Sequence, residues 1–385
     1  MEIRKNPLKV LGPHGDESDV QAIREVIESG WWGKGPKVQE FEEKFAELVG
    51  AKHAISVTSN SHGNDLIMKA MGFKGVDVIN PTMSFIATAE IPLWNDCTSN
   101  LVDVDKVNLN MTAEEVEKWK KPDSEVLVAV NMAGIPAPID EIRKVFGGYI
   151  IEDCAHSCYT EGAGTKGDIA VWSFQAVKTM PCGDGGMITL NDDKLASKLR
   201  EMLWFGVAST WSRASDKSGT RPGYAWDYHV DTLGYKCYMI DIIAALGLSQ
   251  MKKLPQFLDT RRHIQKRYNE ELSSVIERPA YSDTVQYYCA RLPEKKHNFA
   301  PDGSGFSSIG RDQLINYLAD KKIHTSVHFK PLHQYDIVKR DREYPIADVE
   351  WLKLITLPCH NGLTDDDIDY VIYWVNKFIE VEYSE

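Results

Sequence analysis

Residues 149–190 read YIIEDCAHSCYTEGAGTKGDIAVWSFQAVKTMPCGDGGMITL, and this stretch decides the fold because it contains three short apolar runs separated by polar turns. The runs occupy residues 149–152, 169–174 and 187–190. Most of their positions are apolar in succession instead of alternating, which is typical of strands that are covered on both faces. The stretch therefore predicts neighbouring strands of a sheet that lies between two layers of helices.

The same pattern continues towards the N-terminus. Seven strands are predicted in all, at residues 54–58, 76–80, 101–104, 126–131, 149–152, 169–174 and 187–190. Amphipathic segments at residues 112–120 and 139–145 lie between strands and predict helices. This alternation predicts an α/β fold with a mixed, mostly parallel seven-stranded sheet and helices on both sides.

Further helices are predicted on both sides of the strand-rich region, at residues 16–29, 38–48, 240–253, 257–274, 311–322 and 365–378. A break is expected near Pro255, because proline cannot donate the helical hydrogen bond. Short strands and helices mix after Pro279, so we expect a large α/β domain at residues 1–254 and a smaller α+β domain at residues 255–385. Residues 208–228 have no clear period and predict a long loop.

Composition excludes several classes of protein. The chain has 385 residues and a formal net charge of -12, which argues against a nucleic-acid partner because such partners usually require a basic face. Seven cysteines are scattered without Cys-x-x-Cys spacing, so we expect reduced thiols and a cytoplasmic protein. The N-terminus lacks the apolar stretch of a signal peptide, and no run reaches the roughly 20 apolar residues of a membrane span, so no membrane partner is expected.

Three chemically active residues follow the strands of the opening stretch. Asp153 ends one apolar run, Ser173 ends the next, and Lys178 follows five residues later. A lysine amine forms an imine with the aldehyde of pyridoxal phosphate, and a carboxylate keeps the pyridine nitrogen of that cofactor protonated. This combination therefore favours pyridoxal phosphate chemistry over other uses of the same side chains.

The chain also resembles a known family over nearly its whole length. The segments that carry the resemblance are Gly33-Lys34-Gly35-Pro36 with Glu40-Phe41-Glu42, Thr58-Ser59-Asn60-Ser61, Ser84-Phe85-Ile86-Ala87-Thr88-Ala89, Glu152-Asp153-Cys154-Ala155-His156, Trp172-Ser173-Phe174 through Lys178 to Gly185-Gly186, Gly234-Tyr235, Ala244-Ala245, Gln250 and Leu357-Pro358. Together they resemble the DegT/DnrJ/EryC1/StrS family of pyridoxal phosphate-dependent sugar aminotransferases.

The resemblance carries expectations about fold and function. It implies a fold-type-I transferase that forms a homodimer with shared active sites. It implies transfer of an amino group from glutamate to a keto sugar linked to a nucleotide, for amino-sugar biosynthesis. The implied cofactor is pyridoxal 5'-phosphate, with pyridoxamine 5'-phosphate as the intermediate form.

The resemblance also implies roles for individual residues. Lys178 would hold the cofactor and then act as base and acid in proton transfer. Asp153 would pair with the pyridine nitrogen, although an aspartate after a strand can also cap a helix. His156 would lie near the 3'-oxygen of the cofactor, with a satisfied structural histidine as the alternative.

Four further positions are implied to bind the cofactor. The family usually has Gly-Thr where this chain has Asn60-Ser61, a turn that would bind phosphate at a helix N-terminus or serve as an ordinary N-cap. Ser173 would also bind the phosphate, unless its hydroxyl bonds nearby backbone. Phe85 would stack on the cofactor ring, with a simple core aromatic as the alternative.

Two positions depart from the family pattern. Lys236 stands where the family commonly places an asparagine that reaches the phosphate of the neighbouring subunit. A lysine can also pair with phosphate, but it can equally lie exposed on the surface. Asp184 stands where glutamate is usual, before the paired glycines.

Other assignments compete with this one. Gly162, Gly164 and Gly167 match G-x-G-x-x-G but precede a predicted strand instead of opening a helix, which disfavours a dinucleotide site. The histidines within residues 324–333 lack an obvious carboxylate or cysteine partner, so no metal is expected. A pyridoxal phosphate-dependent sugar dehydratase or deoxygenase would typically carry histidine in place of Lys178. A non-catalytic, pyridoxal phosphate-binding regulatory protein is the third hypothesis.

Overall fold

A seven-stranded sheet forms the centre of the computed structural model, which describes residues 1–207, 228–293, 309–338 and 342–383. The strands are β1 (His53–Val57), β2 (Asp77–Pro81), β3 (Thr98–Val102), β4 (Ser124–Val130), β5 (Tyr149–Asp153), β6 (Ile169–Ser173) and β7 (Gly186–Leu190). Their order in the sheet is β1-β7-β6-β5-β4-β2-β3. β7 is antiparallel to both its neighbours, whereas the other pairs are parallel. The seven predicted strands and the mixed, mostly parallel sheet are confirmed.

Helices cover both faces of this sheet. Those before the C-terminal third are α1 (Glu17–Ser29), α2 (Pro36–Val49), α3 (Asn60–Met71), α4 (Ala87–Trp94), α5 (Ala113–Trp119), α6 (Ile139–Val145) and α7 (Asp193–Met202). The sequence explains several of their starts. The side chains of Asp16 and Thr112 cap α1 and α5, and Pro36 occupies the first turn of α2, where its missing N–H costs little.

Successive residues of β6 enter two different cores, as the continuous apolar runs predict. Val171 packs with Ile188 and Leu66 in the core beneath α3. Trp172 packs on the opposite face, where the ring of Phe45 from α2 meets it edge-on at 5.4 Å. Burial on both faces fixes the register of the strand, because a slip of one residue would exchange the two sets.

The expected break at Pro255 is wrong. Residues predicted as two helices form one helix of 31 residues, α8 (Asp241–Glu271), with Pro255 inside it. A proline removes one backbone hydrogen bond, but packing on both sides holds the helix together. Leu254 and Leu258 lie in the core next to the sheet, and Ile264 and Tyr268 lie in the C-terminal core. The helix therefore links the two cores.

The C-terminal part is the smaller α+β unit that the sequence predicts. Its elements are β8 (Tyr288–Arg291), α9 (Ile309–Asp320), α10 (Pro345–Lys353), β9 (Leu354–Leu357) and α11 (Asp365–Glu382). β8 and β9 pair antiparallel in a sheet of their own. Leu8 packs in this C-terminal core, and its N–H donates to the carbonyl of Lys322 at 2.7 Å. The domain boundary at residue 254 falls inside α8 and stays a prediction.

Three further sequence expectations concern cysteines, membranes and the long loop. All seven cysteines are free and buried. Within the described ranges, no helix combines the length and the apolar character needed to cross a bilayer. The predicted loop at residues 208–228 lies outside the described residues, except for Tyr228.

Candidate active site

The site lies at the carboxyl ends of β5 and β6, beside the N-terminus of α3. Asp153 is the last residue of β5, and its parallel neighbour across to β6 is Val171. Asn60, the first residue of α3, donates from Nδ2 to Asp153 Oδ1 at 3.1 Å and to the carbonyl of Val171 at 3.2 Å. Carboxyl ends of parallel strands are the usual place for a ligand in such sheets. One side chain thus joins the end of β5 to the middle of β6.

Lys178 lies in the turn between β6 and β7. Its N–H donates to the carbonyl of Gln175 at 2.8 Å, and its Nζ lies 6.0 Å from the centre of the Tyr287 ring. Burial of the amine lowers the pKa of Lys178 to about 8, against the attraction of Asp153, which acts in the opposite direction. A lowered pKa leaves a sizeable neutral fraction near neutral pH, and the neutral amine is the nucleophilic form.

Asp153 is buried, with 7% of its surface exposed. Burial raises the pKa of its carboxyl, while the Ala155 N–H, the charge of Lys178 and the Asn60 amide oppose that rise. Both hydrogen bonds, from Ala155 at 2.9 Å and from Asn60, reach Oδ1. Oδ2 accepts no hydrogen bond from any residue in the described ranges, so one oxygen of a buried carboxylate is left for another donor.

His156 lies deeper in the same site, with 3% of its surface exposed. Its Nε2 lies 3.3 Å from the hydroxyl of Tyr287, and its ring stacks on Phe329 at 5.9 Å between ring centres. Burial, then the charges of Lys178 and His328, hold its pKa well below the usual value, so the ring is neutral. Nδ1 is buried without a hydrogen-bond partner among the described residues. A fully satisfied structural histidine would not leave this atom unpaired.

Phe85 lies on the exposed side of the site. Its side chain is 58% exposed, and its ring centre lies 6.3 Å from that of Phe329. The alternative of a core aromatic is therefore wrong. The position leaves one face of the ring available for another planar group.

The turn before α3 has two parts with different tasks. Ser59 is the N-cap, and its hydroxyl accepts from the N–H of His62 at 3.1 Å. The Asn60 side chain points to Asp153, as described, and Ser61 is half-buried in the first helical turn. A Cβ on Gly186 would lie 2.6 Å from the Asn60 nitrogen, so the start of β7 approaches this turn closely.

Ser173 is linked to the turn before α3 through Gly186 of β7. It is the sheet partner of Gly186, and its hydroxyl accepts a long hydrogen bond of 3.5 Å from the N–H of Gln175. That bond is weak by its length, which leaves the hydroxyl able to donate elsewhere. Ser61, Ser173 and the helix N-terminus therefore share one neighbourhood at Gly186.

Within one chain, Lys236 is not part of the cluster formed by Ser61, Ser173 and the N-terminus of α3. Its side chain is exposed, and its backbone forms an isolated antiparallel bridge with Trp204. The next residue, Cys237, accepts the N–H of Thr58 at 2.8 Å, which ties the segment to the end of β1. The other departure from the family pattern, Asp184, accepts from the N–H of Gly185 at 2.9 Å.

Comparison with known proteins decides the family. The model of the DegT/DnrJ/EryC1/StrS aminotransferase family matches residues 13–376. The chain belongs to this family. It is 32% identical to the spore coat polysaccharide biosynthesis protein SpsC of Bacillus subtilis, over 94% of this chain and 95% of that protein.

Solved structures agree with the family assignment. The aminotransferase TlmJ of Streptoalloteichus hindustanus superposes with a TM-score of 0.87 at 28% identity, covering 98% of this chain and 100% of that one. The putative sugar aminotransferase Spr1654 of Streptococcus pneumoniae, in its PLP-form, gives a TM-score of 0.86 at 24% identity, covering 97% and 99%. The fold is therefore that of the pyridoxal phosphate-dependent aminotransferases, as predicted.

The family's cofactor, pyridoxal phosphate with its pyridoxamine form, is confirmed for this chain. The described side chains fit that group. The unpaired Oδ2 of Asp153 suits a ring N–H, the unpaired Nδ1 of His156 suits an oxygen substituent, and the desolvated amine of Lys178 suits an aldehyde. The α3 N-terminus next to Gly186 suits a phosphate.

Tyr287 and Phe329 carry no local signal in the sequence, and the sequence marks His328 only as a candidate metal ligand. Tyr287, His328 and Phe329 form an aromatic wall, with the rings of Tyr287 and His328 stacked at 3.9 Å between centres. His328 Nδ1 lies 2.8 Å from the hydroxyl of Thr356, which accounts for one ring nitrogen. Within the described ranges, no cluster of three or more histidine, cysteine, aspartate or glutamate side chains is arranged to hold a metal ion.

Proposed function

We propose that this protein transfers an amino group from glutamate to a nucleotide-linked keto sugar, in the biosynthesis of an amino sugar. The observation that carries the proposal is the pair formed by a desolvated Lys178 amine and a buried Asp153 carboxylate, one oxygen of which accepts no hydrogen bond from the described part of the chain. We further propose that the enzyme works as a homodimer in the cytoplasm, where its free thiols stay reduced.

Pyridoxal phosphate, when bound, supplies an aldehyde for amines and a ring that accepts electrons while its nitrogen is protonated. Asp153 would hold the proton on that nitrogen, because both of its hydrogen-bond donors within the described ranges reach Oδ1 and leave Oδ2 to accept from the ring. His156 presents a neutral ring to the oxygen substituent. Ser61, Ser173 and the α3 N-terminus would hold the phosphate, and the exposed ring of Phe85 would pack against the cofactor ring.

Lys178 moves the proton in both halves of the reaction. A pKa of about 8 gives its amine a larger neutral fraction near neutral pH than an ordinary lysine has, and the neutral form is the one that can accept a proton. Lys178 would take a proton from the carbon that carries the glutamate nitrogen, and it would return a proton once the amino group has passed to the cofactor. With the keto sugar it would make the same two transfers in the reverse order.

The sugar acceptor is supported by the relatives. SpsC is a spore coat polysaccharide biosynthesis protein, and Spr1654 is described as a putative sugar aminotransferase. We assign acceptor choice to the loops at residues 31–36 and 324–333, together with residues 208–228, which lie mostly outside the described ranges. A panel of nucleotide keto sugars, with product mass and proton spectra, identifies the sugar that the enzyme accepts.

Exposed apolar side chains support the homodimer. Leu233 is 94% exposed, and Tyr235, Ile240 and Phe205 are also exposed in the segments around Lys236. Large apolar groups on a surface favour burial against a partner. We propose that a second copy of the chain covers them and that Lys236 then reaches the cofactor phosphate of that copy.

The test is a visible absorption spectrum of purified protein with added pyridoxal phosphate, before and after glutamate. We expect an absorption band that glutamate removes, and no such band in Lys178→Ala. The matched control is Lys198→Ala, which changes a lysine on α7 that donates to the Ala70 carbonyl, away from the site. It should keep the band.

Other outcomes would redirect the assignment. A band that glutamate leaves unchanged favours the non-catalytic regulatory protein. Consumption of a nucleotide sugar without amino transfer favours a dehydratase or deoxygenase, although Lys178 disfavours it. Normal transamination by Lys178→Ala would contradict the proposal.

A further inference from the structure

Gln286, from the segment just before β8, contacts both chain neighbours of Lys178. Its Oε1 accepts from the N–H of Thr179 at 3.0 Å and from the hydroxyl of Thr179 at 2.9 Å. Its Nε2 donates to the carbonyl of Val177 at 2.9 Å. The side chain is 1% exposed, so water does not compete for these bonds.

The backbone that carries Gln286 is itself held by a buried arginine on α8. Arg261 Nη1 donates to the carbonyls of Val285 at 2.9 Å, Cys359 at 3.3 Å and Gln286 at 3.4 Å. Its Nε donates to Asn361 Oδ1 at 3.0 Å. Asn361 in turn donates to the carbonyl of Thr179 at 3.4 Å. The C-terminal part therefore contacts the turn around Lys178 through two side chains, Gln286 and Asn361.

We propose that Gln286 is a positioning residue for Lys178. By bonding the backbone on both sides of the lysine, Gln286 fixes the orientation of the Lys178 amine. A primary amide suits this task because it donates and accepts at once, and here both functions are used on one short stretch of backbone. Groups that act in proton transfer must be held close to their productive geometry by neighbouring side chains.

The proposal rests on the proposed role of Lys178, and it has a consequence that activity alone does not reveal. The amine is desolvated by its surroundings, which lowers its pKa. If the turn loosens, water reaches the amine and its pKa rises towards the ordinary value. The pH midpoint at which the Lys178 nitrogen is protonated should then shift, and the rate should change with it.

The experiment compares Gln286→Met with Gln265→Met in the holoenzyme. Gln265 is a matched control because it is also buried and its amide also pairs with a backbone acceptor and donor, at Ser282, without touching the lysine turn. Both variants should lose stability to a similar degree. Only Gln286→Met should shift the pH midpoint of the visible cofactor band, and only it should lower kcat, by about 10- to 100-fold.

Thr179→Val is the milder second variant, because it removes the hydroxyl bond to Gln286 and keeps the backbone bond. It should shift the midpoint in the same direction by less, and it keeps the test decisive if Gln286→Met does not fold. Equal midpoints in wild type, Thr179→Val and any folded Gln286→Met would overturn the proposal. A wild type that forms the band but transfers no amino group would instead contradict the proposed function, since the midpoint is measured without substrate.

Discussion

Two buried aspartates at opposite ends of the same sheet have opposite chemistry. Asp77, at the start of β2, accepts hydrogen bonds on both oxygens, and it is fully buried. Its donors are Lys121 Nζ at 2.6 Å, Ser124 Oγ at 2.6 Å, Asn100 Nδ2 at 2.7 Å and Thr98 Oγ1 at 3.0 Å. Asp153, at the end of β5, has two donors among the residues that the structure describes, and both reach the same oxygen.

The two pKa values move in opposite directions for this reason. Burial raises the pKa of both carboxyls. At Asp77 the bonds from Lys121, Ser124 and Asn100 outweigh burial and hold the pKa below its usual value. At Asp153 they do not, and the pKa stays raised. A buried acid that is completely paired stabilises the fold, whereas one that is left half-paired is ready to meet a further donor.

The largest effect should come from exchanging each acid for its amide. Asp153→Asn removes the negative charge opposite the ring nitrogen, so kcat/KM should fall on the order of 100-fold. Asp77→Asn should leave kcat/KM near wild type but lower the free energy of unfolding by about 1–3 kcal/mol, because it breaks a buried network. Steady-state kinetics and urea unfolding of both variants measure this. Equal losses of activity in the two would erase the distinction between the acids.

A smaller effect should follow from removing one amide donor from each acid. Asn60 and Asn100 are matched, since each donates from Nδ2 to a carboxylate and to a main-chain carbonyl. Asn60→Ala removes a bond that favours the ionised form, so the pKa of Asp153 should rise and the acid limb of the kcat/KM profile should move to higher pH. Asn100→Ala should affect stability alone. An unmoved acid limb in Asn60→Ala would refute the role given to Asn60.

The same contrast explains what the sequence could predict. Asp153, Ser173 and Lys178 lie within one stretch of chain. Apolar runs place Asp153 and Ser173 at strand ends, and Lys178 follows five residues later, so a local pattern singles them out. The bond from Asn60 to Asp153 joins residues 93 apart, and those from Gln286 to Thr179 join residues 107 apart. No periodicity or motif reports such pairs, because they depend on how separate units pack.

The misjudged helix at Pro255 has the same origin. Propensity concerns the local cost of a proline, which is real. The packing of Leu254 and Leu258 on one core and of Tyr268 on the other is a tertiary effect, and it outweighs that cost. Sequence patterns thus predict elements well where local and tertiary preferences agree, and fail where they oppose each other.

The smallest effect concerns pH and stability at Asp77. Because its folded pKa lies below the unfolded value, its carboxylate contributes stability that is present above roughly pH 4 and is lost as pH falls through the folded pKa. The difference in unfolding free energy between wild type and Asp77→Asn should therefore be largest near neutral pH and should shrink on acidification. Urea unfolding at a series of pH values measures it. For Asp153, whose pKa is raised, the unfolding free energy of wild type relative to Asp153→Asn should instead rise on acidification. Burial of its carboxylate costs stability, and protonation relieves that cost. A difference that grew on acidification for Asp77 would mean that its network does not favour the charged form.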